Sequence, residues 1–153
     1  MRKALKYMMF LFVIASISSC KKYKYEKEDV YGIYDVHKYY VDDFDSTFYF
    51  EQFNSAYIAF ADNENSVYFS CFGVDTNNNF LVNTSGFWNF FDQNERINLN
   101  VAQGGSNNDY WIQYGPLALG ENHPWDIINL DANEFVFHTN FENRIYKLIL
   151  YRR

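Results

Sequence analysis

From Val30 to the C-terminus, apolar and polar residues alternate in short runs that break at clusters of Asn, Asp and Glu. A period of two marks a strand with one buried face. It is cleanest at 96–101, where Ile97, Leu99 and Val101 interleave with Asn98 and Asn100, and at 134–139, where Phe135 and Phe137 oppose Glu134 and His138. Four polar breaks predict hairpins. Asp62–Asn65 separates 55–61 from 66–73, and Asp92–Glu95 separates 84–91 from 96–101. Asp131–Asn133 separates 125–130 from 134–139, and Asn140–Asn143 separates 134–139 from 144–152. Asn and Asp tolerate left-handed turn positions, which is why they collect there. With a first strand at 31–41, the pattern predicts an all-β chain of eight antiparallel strands. A sandwich is one solution; local hairpins favour an up-and-down meander closed into a barrel, which leaves no open edge. In such a closed meander the last strand pairs with the first. That puts the Arg152 guanidinium over the Tyr34 ring across the barrel floor.

Two stretches do not follow the alternation. Residues 42–54 read as an edge strand or a capping loop. Residues 102–124 hold Gly104, Gly105, Pro116, Gly120 and Pro124, and read as a mobile lid, a binding loop or a missed strand at Tyr110–Tyr114. No segment after residue 30 carries a helical period.

Residues 1–20 are of another kind. Arg2, Lys3 and Lys6 precede an apolar run from Tyr7 to Ala15, and Ile17-Ser18-Ser19-Cys20 follows. This is a basic region, an apolar region and a small-residue cleavage site. The apolar run is too short for a spanning helix, which needs about 20 residues. Ile17-Ser18-Ser19-Cys20 resembles the bacterial lipobox, whose cysteine is acylated and becomes the new N-terminus. The resemblance implies a signal peptide over 1–19, lipidation at Cys20 and attachment to a membrane by acyl chains such as palmitate. Lys21 and Lys22, with no aspartate after the cysteine, favour the outer membrane. The charged stretch 20–29 reads as a flexible tether, ahead of one domain at 30–153.

Cleavage leaves 134 residues of 153, enough to bury about two-thirds of the unfolded surface. Three cations leave with the signal, which takes the net charge from −6 to −9. A chain this acidic repels phosphate backbones, so nucleic acid is not an expected partner. Once Cys20 is acylated only Cys71 remains, so the fold stands on its core without an internal disulfide. Cys71 alternates with Val67 and Phe69 and reads as a small buried hydrophobe.

Tyr31-Gly-Ile-Tyr-Asp-Val36 resembles the first-strand Gly-x-Trp motif of lipocalins, with Tyr34 in place of the Trp. The segment from Gly86-Phe-Trp to Leu99 is similar to the central hairpin of bacterial lipocalin-like lipoproteins. Trp125-Asp-Ile-Ile-Asn-Leu with its following turn and strand, and the closing Tyr146–Arg152 strand, are similar as well. The resemblance implies an eight-stranded barrel that holds a small apolar ligand.

No catalytic pattern competes with that reading. His37, His123 and His138 fall on different elements without metal-ligand spacing, and Asp42, Asp43 and Asp45 lack the calcium-loop pattern. Neither Gly-x-Ser-x-Gly nor Ser-x-x-Lys occurs, and Gly104-Gly105 precedes no helical pattern. The expectation is a non-enzyme without metal or cofactor. Its ligand would be lined by Trp88, Phe90 and Trp125 on the inner face, with Trp111 at the mouth. The competing expectation is an interaction module: an assembly factor, a protease inhibitor or an accessory glycan-binding protein, with a filled barrel and its site on loops.

Overall fold

A computed structural model describes residues 24–51, 53–63, 66–77, 79–103, 124–141 and 143–153. A single helical turn, α1 (Lys27–Val30), leads into β1 (Gly32–Val41). The chain continues through β2 (Phe44–Asp45), a 3-10 turn at Thr47–Phe50, β3 (Ser55–Asn63), β4 (Ser66–Val74) and β5 (Phe80–Phe91). It then forms β6 (Arg96–Gln103), β7 (Trp125–Leu130), β8 (Glu134–Phe141) and β9 (Arg144–Arg152). All pairings are antiparallel, in the order β2-β1-β3-β4-β5-β6-β7-β8-β9, and β1 also pairs with β9. The sheet is therefore a closed up-and-down barrel of eight strands, with the two-residue β2 folded back on the rim of β1.

The alternation of the sequence becomes the inside and outside of this barrel. Tyr34 and Tyr39 on β1, Ile58 and Phe60 on β3, and Phe69 and Cys71 on β4 are buried inward. So are Trp88 on β5, Ile97 and Leu99 on β6, Trp125 on β7, Phe135 and Phe137 on β8, and Leu148 and Leu150 on β9. Burying one such side chain contributes about 1.5–3 kcal/mol, and this apolar interior carries the stability of the domain. A bulge between Val36 and Lys38 resets the alternation, so that Tyr34 and Tyr39, five residues apart, both face inward.

The expected strands recur, some longer. β5 begins at Phe80, not at 84, and β8 runs through Phe141 into the predicted turn. Turn residues Asp42, Asp43, Gln93, Asn94 and Asn143 have φ between 52° and 66°, the left-handed region Asn and Asp tolerate. The expected tether over 20–29 is corrected in its second half. Glu26 and Asp29 form a reciprocal capping box on α1, Val30 is fully buried, and Lys24 N–H donates to Gln93 O at 3.2 Å. The charged composition of this segment hid a turn that seals one end of the barrel. The 42–54 stretch is a capping loop over the other end.

Candidate functional site: the barrel lumen

The floor of the lumen is an aromatic cluster. Tyr34 meets Phe60 and Phe135 at 5.8 Å between ring centroids, and Phe60 meets Trp88 at 6.2 Å. Trp88 meets Phe90 at 5.3 Å, and Trp125 meets Phe137 at 5.3 Å. Edge-to-face contacts of this kind add about 0.5–1.5 kcal/mol each to the area they bury. Beneath Tyr34, Arg152 lies with its guanidinium carbon 5.1 Å from the ring centroid, as the first-to-last strand pairing predicts. The same guanidinium donates to Asp29 O at 2.6 Å and to the Tyr34 hydroxyl, and that hydroxyl donates to Val30 O at 3.0 Å. Burial pushes the Tyr34 phenol pKa up while Arg152 pulls it back. Gly32, at φ +150°, gives the sharp entry from α1 into β1, a backbone conformation that strains any residue with a side chain.

The other end is capped by the loop 42–54. Phe50 and Phe53 are buried beneath it, Phe50 at 5.8 Å from Tyr39. Two latches hold the loop. Lys38 Nζ pairs with Asp45 at 2.5 Å, and Arg144 Nε pairs with Asp42 at 2.9 Å. Thr47 Oγ1 accepts from Tyr39 N–H at 3.0 Å and ties the 3-10 turn to β1. Both aspartates are held below the usual carboxylate range, first by these cations and then by backbone or hydroxyl donors. Asp42 and Asp45 of the acidic cluster thus act as latches. Among the described residues no group of His, Cys, Asp or Glu is placed to hold a metal ion.

The wall between floor and cap carries no buried Asp, Glu, Lys, Arg or His among the described residues. It does carry polar atoms. The hydroxyls of Tyr39 and Thr84 and the indole N–H of Trp88 are buried without a hydrogen-bond partner. Burial raises the Tyr39 pKa strongly, so its hydroxyl stays neutral. Thr139, also buried, is satisfied by Pro124 O at 3.1 Å.

Trp88 and Trp125 thus lie on the inner face, 1% and 2% exposed, both within the aromatic floor. Phe90 shares the face of Trp88 but sits at its rim, half-buried. It helps line a groove of about 420 Å³ with Glu26, Lys27, Glu28, Val67, Asn89 and Asn94, outside the floor. Trp111, like His123, lies outside the described residues. His37 stacks on Tyr151 at 4.0 Å, and His138 Nε2 faces Asp126 at 3.4 Å. Cys71 is fully buried on the inner face. Sequence reasoning missed Tyr39 and Thr84. The signal was present for Thr84, which stands two and four residues before Gly86 and Trp88 on one strand face. Tyr39 was concealed by the bulge.

No family model and no curated protein matches the sequence. Among solved structures, the chain is similar to a lipocalin-like protein from Bacteroides uniformis, with a TM-score of 0.50 and 12% identity over 82% of this chain and 99% of that one. At this identity the likeness shows the fold: a lipocalin-like barrel.

Proposed function

We propose that this protein is a lipid-anchored envelope protein whose lipocalin-like barrel binds a small, mainly apolar molecule in its lumen without catalysis. One observation carries the reading: the inner face is apolar and uncharged among the described residues, closed by aromatics at one end and covered by a latched loop at the other. An apolar, uncharged interior is the surrounding that an apolar ligand seeks, and a few polar groups suffice to orient it. Trp88 and Trp125 form the base of the site, and Phe90 lies at its rim.

Cys20 is the acylation point and the outer membrane the destination. Lys24 docks at the floor end of the barrel, and four residues span at most about 14 Å. The floor then faces the lipid and the capped mouth faces away from it. Titration with the fluorescent apolar probe N-phenylnaphthylamine tests the binding role. Saturable one-to-one binding that quenches tryptophan emission, and is lost in Trp88→Ala, supports it. Absence of saturable binding to folded protein removes it.

A second reading has its own observation. Phe44 and Phe48, on the mouth loop, are 77% and 54% exposed. Exposed aromatics on a loop favour an interaction module that docks a protein partner. In that case Phe44→Ser/Phe48→Ser abolishes partner co-purification and leaves probe binding unchanged.

A further inference from the structure

The groove of about 420 Å³ opens at the floor end of the barrel, outside the aromatic floor. It is lined by Glu26, Lys27 and Glu28 at the start of α1, by Asn89 and Phe90 near the end of β5, and by Asn94 in the turn that follows. These segments are pinned to each other. Lys24 N–H donates to Gln93 O at 3.2 Å, Asn94 Nδ2 donates to Tyr25 O at 2.6 Å, and the capping box fixes Glu26. The groove is therefore built into the fold.

Its lining combines both signs of charge with an apolar base. Phe90 and Val67, both partly buried, supply the base. Lys27 and Glu28 are exposed, and neither has an ion-pair partner among the described residues. Residues one apart on a helical turn do not face each other, so these two do not neutralise one another. Asn89 makes only long bonds, from its Nδ2 to Phe90 O and from Asn100 Nδ2 to its Oδ1, each at 3.4 Å, so its amide is open to a better partner. A lone anion in the groove meets Glu26 and Glu28, and a lone cation meets Lys27. A small zwitterion with methylenes between its charges complements all of these groups.

Placement narrows the choice. The groove residues of α1 follow Lys24 directly, and Lys24 stands within about 14 Å of the Cys20 anchor proposed above. That sets the groove at the headgroup layer. The acidic chain repels anionic headgroups, which leaves the zwitterionic ones.

We infer that the groove seats the headgroup of phosphatidylethanolamine from the bilayer that holds the anchor. The phosphate meets Lys27, the ammonium meets Glu28, and the methylenes lie on Phe90. A choline headgroup has no N–H to donate and fits less well. Such a contact holds the floor of the barrel against the lipid. The inference rests on the anchoring at Cys20 and is independent of any ligand in the lumen.

The test is native mass spectrometry of the acylated chain released from nanodiscs of equal parts phosphatidylethanolamine, phosphatidylcholine and phosphatidylglycerol. Phosphatidylethanolamine should be retained about tenfold over each of the others, the size that one charge-assisted contact supplies. Lys27→Gln and Glu28→Gln, both at exposed positions, should keep the melting temperature and each bring the preference below about threefold. Equal retention of the three lipids overturns the inference. So does an unchanged preference in both variants, which would place the lipid in the lumen or elsewhere. Glycerophosphoethanolamine, the same headgroup without acyl chains, should bind only in the millimolar range; micromolar binding would make a free metabolite the ligand and overturn the lipid assignment. The acyl mass at Cys20 is read in the same spectrum. An acylated chain without the preference overturns this inference alone, whereas a chain without acyl mass overturns the anchoring and this inference with it.

Discussion

Gly86 and Gly73 face inward on neighbouring strands, and adding one methyl to each should have opposite kinds of effect. A Cβ at Gly86 would stand 2.0 Å from the backbone oxygen of Asn100 and 2.8 Å from the Phe69 ring, where ordinary contact begins near 3.4 Å. The obstacle is the β6 backbone, at the bulge where Ser85 pairs with Gln103 and Gly86 with Val101. It yields only if the β5–β6 ladder opens by on the order of 1 Å. Overpacking costs about 1–3 kcal/mol and more where backbone must move, while the lost freedom of the unfolded glycine returns about 0.4–1. The net for Gly86→Ala is a loss of about 2–3 kcal/mol, or roughly 8–12 °C in melting temperature for a domain of this size. At Gly73 the nearest obstacle to the added methyl is the Phe53 ring, at 2.6–2.8 Å. That ring belongs to the mouth loop and can swing aside, so Gly73→Ala should cost about 1 kcal/mol or less. It should instead loosen the cap and speed exchange of a bound probe severalfold. Thermal melting of the two variants, with stopped-flow probe release, checks both halves. A Gly86→Ala variant melting within a degree of the wild type would refute the packing argument. A Gly73→Ala variant less stable than Gly86→Ala would do the same.

Arg152→Met removes the cation over Tyr34 and the donors to Asp29 O and the Tyr34 hydroxyl. It should cost about 2–3 kcal/mol and raise amide exchange selectively at Lys27–Val30; unchanged exchange there would mean that α1 is held by other contacts. The depressed pKa values of Asp42 and Asp45 set the acid response of the cap. A carboxylate whose pKa is lower folded than unfolded contributes stability that is complete above about pH 4 and lost as the pH falls through the folded value. Probe exchange should therefore accelerate on acidification below about pH 4, and Asp45→Asn should show fast exchange already at pH 7; a flat profile in the wild type counts against the latch. Cys20→Ala should leave the protein soluble in fractionated host cells and unlabelled by palmitate, whereas continued labelling and membrane association would dismiss the lipobox assignment.

The barrel was legible because its signal is local. Period-two runs such as Ile97–Val101 and Asp/Asn turns such as Asp131–Asn133 each declare themselves within a few residues, and closure then follows from strand count and hairpin connection. The Arg152–Tyr34 contact was readable for the same reason, as a consequence of first-to-last pairing. What escaped depends on tertiary context. Nothing local distinguishes Glu26–Val30 from a solvated tether; its order comes from Val30 buried at the floor and Tyr25 O accepting from Asn94 Nδ2 at 2.6 Å. The bulge at His37 has no turn residue to announce it, so the inward placement of Tyr39 could not be counted out along β1. Phe80–Asn83 lacked a strand's alternation and joined β5 only through pairing with β4. Of the candidate site, the large aromatics Trp88 and Trp125 stood out by size, while the unsatisfied hydroxyls appear only when burial and partners are known.

The binding role is tested most directly by native mass spectrometry of the protein extracted from its host membrane in mild detergent. The account predicts the mass of the acylated chain from Cys20 together with one additional small, mainly apolar molecule, released on denaturation. A folded, acylated chain that carries no such molecule, and still takes up none when offered a host lipid extract, would contradict it.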